Sequence, residues 1–127
     1  MAAVLLDTQT LIEAYLPSGH LPAKARQILA DPDTERILSV VSIVEIGIKS
    51  SLGKLQITEA ELQKAVMDLQ LKLIPFSPKH AFGLFRLPDR TDMFDRMIVA
   101  TALAEDVPII GGDREFSKYK GLKVIWR

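Results

Sequence analysis

The chain alternates short, unbroken apolar runs with longer segments whose apolar residues recur every three or four positions. Residues 2–6 (Ala-Ala-Val-Leu-Leu) form the first run, closed by Asp7. A run without polar alternation suits a strand covered on both faces. Residues 8–16 carry Leu11, Ile12, Tyr15 and Leu16 at helical spacing, and Pro17, Ser18 and Gly19 end the pattern. Pro22 opens a second helix striped by Ala25, Ile28 and Leu29 and broken by Asp31, Pro32 and Asp33. Residues 36–41 predict a second strand, and Ser42 to Leu52 a helix stopped by Gly53. Thr58 and Glu61 stand at capping-box spacing ahead of a helix with Leu62, Val66 and Leu69 on one face. Residues 71–75 predict a third strand and Pro78 to Leu87 a helix. Asp92 to Asp106 is apolar on most sides, the mark of a well-buried helix. Pro108 to Gly112 reads as a fourth strand, Glu115 to Tyr119 as a short helix and Leu122 to Trp126 as a last strand.

Strands alternating with helices predict the α/β class, with a parallel sheet covered on both faces. Prolines and glycines fall between the elements, where turns need them. No linker or repeat divides the pattern, and half of 127 residues would be too few to bury an adequate core. The expectation is therefore one domain over residues 1–127.

In such sheets ligands bind beyond the carboxyl ends of the strands, and several acids are expected at that edge. Asp7 closes the first strand, Asp113 the fourth, and Glu45 follows the second by one helical turn. Asp92 and Asp95 open the long helix three positions apart and share a face. Each has a structural alternative. Asp7, Asp92, Asp95 and Asp113 occupy cap-like positions. Ser42 to Glu45 matches a capping box, and Glu45 can also pair with Lys49 at i+4. The structural alternative is weaker for Glu45 and Asp95, whose neighbours are apolar, because a buried carboxylate needs a partner. Clustered carboxylates also repel one another unless a cation lies among them. Convergence with burial points to a metal site, and an all-oxygen donor set suits Mg²⁺ or Mn²⁺ rather than zinc. Such an ion activates water and stabilises displacement at phosphorus, so the chemistry indicated is metal-dependent phosphoester hydrolysis. His20 and His80 lie away from the acids in sequence and read as surface residues.

Composition removes other possibilities. With no cysteine there is no disulfide framework, thiolate zinc site or cysteine nucleophile. Sixteen basic residues balance sixteen acidic ones, so a polyanion would have to be held by a local cluster or by metal ions. Arg90, Arg96 and Arg114 beside the acids are candidates for holding phosphates, and Lys49 and Lys54 weaker ones. There is little aromatic interleaving for base stacking. The N-terminus has no basic region, Asp7 interrupts its apolar run, and no stretch nears the roughly 20 apolar residues of a membrane span. The expectation is a soluble, cytoplasmic protein with no membrane partner.

Taken in order, Leu5-Leu-Asp7-Thr-Gln-Thr, Ser42-Ile-Val-Glu45-Ile-Gly-Ile-Lys49 with Gly53-Lys-Leu55, Asp92-Met-Phe-Asp95-Arg-Met-Ile, Gly112-Asp113-Arg-Glu-Phe116 and Val124-Ile-Trp126 resemble a PIN domain. The likeness is to the VapC-like toxins of type II toxin–antitoxin pairs and covers essentially the whole chain. It implies a three-layer α/β/α sandwich with a central parallel sheet and a Mg²⁺- or Mn²⁺-dependent endoribonuclease. It also implies an RNA substrate, a cognate VapB-like antitoxin and a homodimer. By resemblance Asp7, Glu45, Asp95 and Asp113 are the four catalytic, metal-holding acids, with Asp7 and Asp95 the principal ligands. Asp92 matches an additional acid of the toxin subgroup, and Arg96 and Arg114 are possible accessories. Two positions depart from the pattern. Arg90-Thr91-Asp92-Met93 replaces a common His-Arg-Asp-Pro, and Gly111 stands where a hydroxyl residue is frequent. The alternative is a PIN-fold binding protein with weak or no nuclease activity. Arg114 interrupts any GGDEF-like signature at Gly111–Phe116. A lone Asp7 fits neither a receiver domain, which needs paired acids after its first strand, nor a dehalogenase-type phosphatase, which needs Asp-x-Asp.

Overall fold

The structure, a computed structural model, describes residues 2–16, 19–88 and 92–127. Its elements are β1 (Ala3–Leu6), α1 (Thr8–Tyr15), α2 (Ala23–Ala30), β2 (Glu35–Ser39), α3 (Val40–Ser51), α4 (Glu59–Asp68), β3 (Lys72–Ile74), α5 (Pro78–Gly83), α6 (Met93–Glu105), β4 (Ile109–Ile110) and β5 (Val124–Ile125). Short 3-10 turns occupy Leu84–Arg86 and Arg114–Lys118. The strands make one sheet in the order β3-β2-β1-β4-β5, and every pairing is parallel.

The alternation of side chains along each strand builds the two outer layers. Val4, Leu6, Leu38 and Ile110 join Leu11, Ala25, Leu29, Ile46, Leu62 and Ala65 in one core cluster. Leu5, Ile37 and Ile109 face the other way, into a second cluster with Ile98, Val99, Ala102, Phe116 and Tyr119. Helices thus cover both faces, and the architecture is the expected α/β/α sandwich. The long helix expected from residue 92 is α6, with Ile98 to Ala102 buried.

The strand order places the site. From β1 the chain moves outward through β2 to β3, then returns to lay β4 and β5 on the other side of β1. The direction of winding reverses between β1 and β4, the switch point at which such sheets bind ligands beyond their strand ends. Leu5 pairs with Ile109 and Leu6 with Ile110, so the residues after β1 and after β4 leave the sheet side by side. The Asp7 amide donates to the Ile110 carbonyl at 3.1 Å, and the Thr10 hydroxyl donates to the same carbonyl at 2.9 Å.

Three expectations are corrected. The second strand ends at Ser39, not residue 41, because the Ser39 side chain accepts from the Val41 amide and caps α3. Ser42 therefore lies inside the first turn of α3 and forms no capping box with Glu45. Its buried hydroxyl accepts instead from Thr8 at 2.9 Å, tying α3 to α1. His80 is not a surface residue. It is only 2% exposed, its Nδ1 accepts from the Ser77 amide at 3.0 Å, and its Nε2 lies 2.7 Å from Glu105. It closes the capping box of α5 and ties that helix to α6.

Candidate active site

Asp7 leaves β1 in extended conformation and caps α1, accepting from the Thr10 amide at 2.8 Å. It is 4% exposed. Asp113 caps the 3-10 turn after β4, accepting from the Glu115 amide at 2.9 Å. Asp92 caps α6, accepting from the Asp95 amide at 3.0 Å. For these three acids the structural role is real, yet it does not remove them from the strand-end edge.

Glu45 and Asp95 cap nothing. Glu45 projects from the middle of α3, is 4% exposed, and pairs through Oε2 with Lys49 Nζ at 2.5 Å. Its other oxygen, Oε1, is buried and has no hydrogen-bond partner among the described residues. Asp95, in the first turn of α6, accepts no hydrogen bond among the described residues. Asp7, Glu45, Asp92, Asp95 and Asp113 nevertheless line a single cavity of about 470 Å³ at the switch point.

Electrostatics registers that proximity. Burial, with repulsion from Asp113 and Glu45, pushes Asp7 up to about 6 against the opposing hydrogen bonds from Thr10. Burial, with repulsion from Asp92, Asp113, Asp7 and Glu45, pushes Asp95 up to about 7. Lys49 is raised by its hydrogen bond to Glu45 and by the charges of Glu45, Asp92 and Asp95, which outweigh desolvation. The carboxylates therefore sense one another across the cavity and favour a positive charge among them.

Among the described residues no three His, Asp or Glu groups already stand together as a metal cage. The donors nonetheless fit a hard divalent cation. They are all oxygen, burial and neighbouring acids make two of them resist ionisation, and Glu45 keeps an unpartnered buried oxygen.

Of the basic candidates among the described residues, Lys49 alone lines the cavity. Arg96 donates to the Leu84 carbonyl at 3.3 Å, and its Nε is buried without a partner among the described residues. Arg114 and Lys54 are exposed and line no part of the cavity, and Arg90 and Thr91 lie outside the described residues. Residues that the linear pattern did not mark do line it: Gln9, Glu13, His20, Leu55 and Trp126. His20 is held there by its amide, which donates to Glu13 Oε2 of α1 at 2.9 Å. Nothing local in the sequence signals that contact.

Gly111 has a steric reason. A Cβ there would stand 2.5 Å from Phe116 Cε2 and 2.7 Å from Asp7 Oδ2. Phe116 is 1% exposed and cannot give way. The backbone thus packs directly on the Asp7 carboxylate, and the hydroxyl residue of the family pattern has no room. Gly111→Ala is expected to destabilise the protein by about 1–3 kcal/mol through overpacking, and Gly111→Ser by at least as much. Chemical denaturation checks this; unchanged midpoints in both variants would contradict the close packing.

The PIN domain family profile matches residues 4–122, and the chain belongs to that family, whose members are generally nucleases. Solved structures agree on the fold. A chain of VapBC2 from Rickettsia felis, bound to a DNA fragment from its promoter, superposes with a TM-score of 0.74 at 18% identity, covering 98% of this chain and 99% of that one. A chain of DNA-bound VapBC from Salmonella typhimurium gives 0.72 at 18% identity, with 98% of each chain covered. VapBC-5 of the VapBC toxin–antitoxin family, from Mycobacterium tuberculosis, gives 0.67 at 19% identity over 100% of both chains. No curated protein sequence is significantly similar to it.

Proposed function

We propose that this chain is the toxin of a type II toxin–antitoxin pair, a Mg²⁺- or Mn²⁺-dependent endoribonuclease that hydrolyses RNA phosphodiester bonds in the cytoplasm. The observation that carries the reading is the pair Asp7 and Asp95. They come from separate elements, share one cavity and are both held above the ordinary carboxylate range by burial and by neighbouring acids. Two such groups facing Glu45, Asp92 and Asp113 gain most from a bound cation.

Asp7 and Asp95 would hold the metal, with Glu45 and Asp113 completing the donor set directly or through water. When bound, Mg²⁺ or Mn²⁺ makes a coordinated water acidic and draws charge from the phosphate. The chain's own residues supply the framework. Thr10 orients Asp7 through its amide, Gly111 presses on that carboxylate, and Asp92 keeps the first turn of α6 in place for Asp95. Lys49 holds Glu45 through Oε2 and leaves Oε1 uncommitted.

The VapBC likenesses support an antitoxin partner. An arginine from it would neutralise the carboxylates as a metal does. Val44 and Ile48 on α3 and Leu52 at its C-terminal cap are exposed and supply an apolar face suited to the homodimer. Among the described residues no helix is long and apolar enough to cross a membrane.

The test uses purified protein, total RNA and divalent ions. Cleavage that requires Mg²⁺ or Mn²⁺ and stops with EDTA is expected, with a rise of several degrees in melting temperature on adding Mn²⁺. Absence of both effects would leave the binding-protein alternative in possession.

A further inference from the structure

The cavity contains an aromatic side chain that the carboxylate chemistry does not use. Trp126, the only tryptophan in the chain, follows β5. The pairing of Ile110 with Ile125, and the Gly111 amide donating to the Ile125 carbonyl at 3.2 Å, bring it beside the Gly111-Gly112 segment. The indole fills the space that a side chain at Gly112 would need, since a Cβ there would lie 2.5 Å from Cε2 and 2.8 Å from Nε1. Gly112 therefore lets the ring lie against the backbone next to Asp113. Trp126 packs partly on the core cluster and also lines the acidic cavity, with Ile12 and Leu55 forming apolar wall there. Its Nε1–H has no acceptor among the described residues.

We propose that Trp126 is the platform on which an unpaired base of the substrate stacks while its phosphate lies at the carboxylates; this rests on the nuclease reading above. The charges favour it. The chain is neutral overall, and the one lysine lining the cavity is engaged by Glu45. Among the described residues the cavity lining therefore offers no free Lys or Arg of the kind that usually supplies sequence-independent affinity. Stacking on an aromatic face is the other general source of affinity for single strands, and every base has such a face. A partly exposed indole beside Asp113 meets that need, and it selects single-stranded over paired RNA because a base within a duplex cannot leave its stack without cost.

The single tryptophan is its own reporter. The protein is titrated in Mg²⁺ with a phosphorothioate oligoadenylate octamer, and separately with an abasic octamer of the same charge, while tryptophan fluorescence is read. Quenching by the oligoadenylate and none by the abasic strand is expected. Trp126→Phe should keep KM for RNA cleavage within about threefold. Trp126→Leu should raise KM roughly tenfold, the scale of one lost stacking contact, with kcat and the Mn²⁺-induced melting shift retained. Equal quenching by the two strands, or no quenching while the protein cleaves RNA, overturns the stacking role. So does a kcat lost together with the metal-induced shift in both variants, which would mean a purely structural ring. If the wild-type protein neither cleaves RNA nor responds to metal, the nuclease reading falls and takes this inference with it.

Discussion

Asp95→Asn is expected to lower RNA cleavage on the order of a thousandfold, matching the several kcal/mol of transition-state stabilisation that a correctly held metal contributes. The same substitution should stabilise the metal-free protein near pH 8. Asp95 sits among Asp92, Asp113, Asp7 and Glu45 and is pushed up to about 7. Full conversion of that shift would be about 4 kcal/mol. The carboxylate is half-buried, so about 1–3 kcal/mol is the realistic gain after solvent screening. The amide keeps the shape of the side chain, and no cap is lost, because Asp92 rather than Asp95 accepts at the start of α6. Loss of activity and gain of stability together separate a ligand from a structural acid. Paired melts with and without Mn²⁺, beside a cleavage assay, read both. Retained cleavage with an unchanged Mn²⁺ shift would sink the role given to Asp95.

The metal-free protein is expected to lose a few kcal/mol of stability as pH rises from about 4.5 to 8. Asp7 and Asp95 have folded-state values of about 6 and about 7, above the ordinary carboxylate value of 3.8. A raised group binds its proton more tightly when folded. Its contribution is complete below the unfolded value and is lost as pH climbs through the folded one. Glu13, Asp31, Glu61 and Glu105 are shifted the other way, mainly by hydrogen bonds, and lose their contribution as pH falls. The optimum should therefore lie on the acid side of neutrality. Divalent metal should reverse the slope, because ligation needs both carboxylates ionised and binding releases their protons. The Mn²⁺-induced rise in melting temperature is accordingly expected to grow from pH 5 to pH 8, and to shrink in Asp7→Asn. Melts across that range check it; a metal-free profile that climbs steadily to pH 8 would contradict the burial and repulsion assigned to the two acids.

Much of the architecture was legible along the chain because burial has a period. The unbroken apolar run before Asp7 could only be a strand covered twice, and Leu5 and Leu6 do enter opposite cores. The alternation of strands and helices determined the α/β class, and the polar residues at the strand ends marked Asp7, Glu45, Asp95 and Asp113 as candidates. Boundaries were less legible. Val40 and Val41 have the β-branched character of a strand, yet they begin α3 because the Ser39 hydroxyl caps the helix there. His80 looked like a surface residue because its partners, the Ser77 amide and Glu105, are joined to it only by the packing of α5 on α6. The tertiary structure alone decided which cations share the cavity, keeping Lys49 and leaving Arg96 at the Leu84 carbonyl. It also brought His20 and Trp126 to the acids, the first through its bond to Glu13 of α1 and the second from the end of the strand added beside β4. Local sequence carries the periodicity that makes an element and the side chain that caps it. Which distant side chains meet at a strand end depends on strand order and on close approaches such as Gly111 to Asp7, and these exist only once the sheet is assembled.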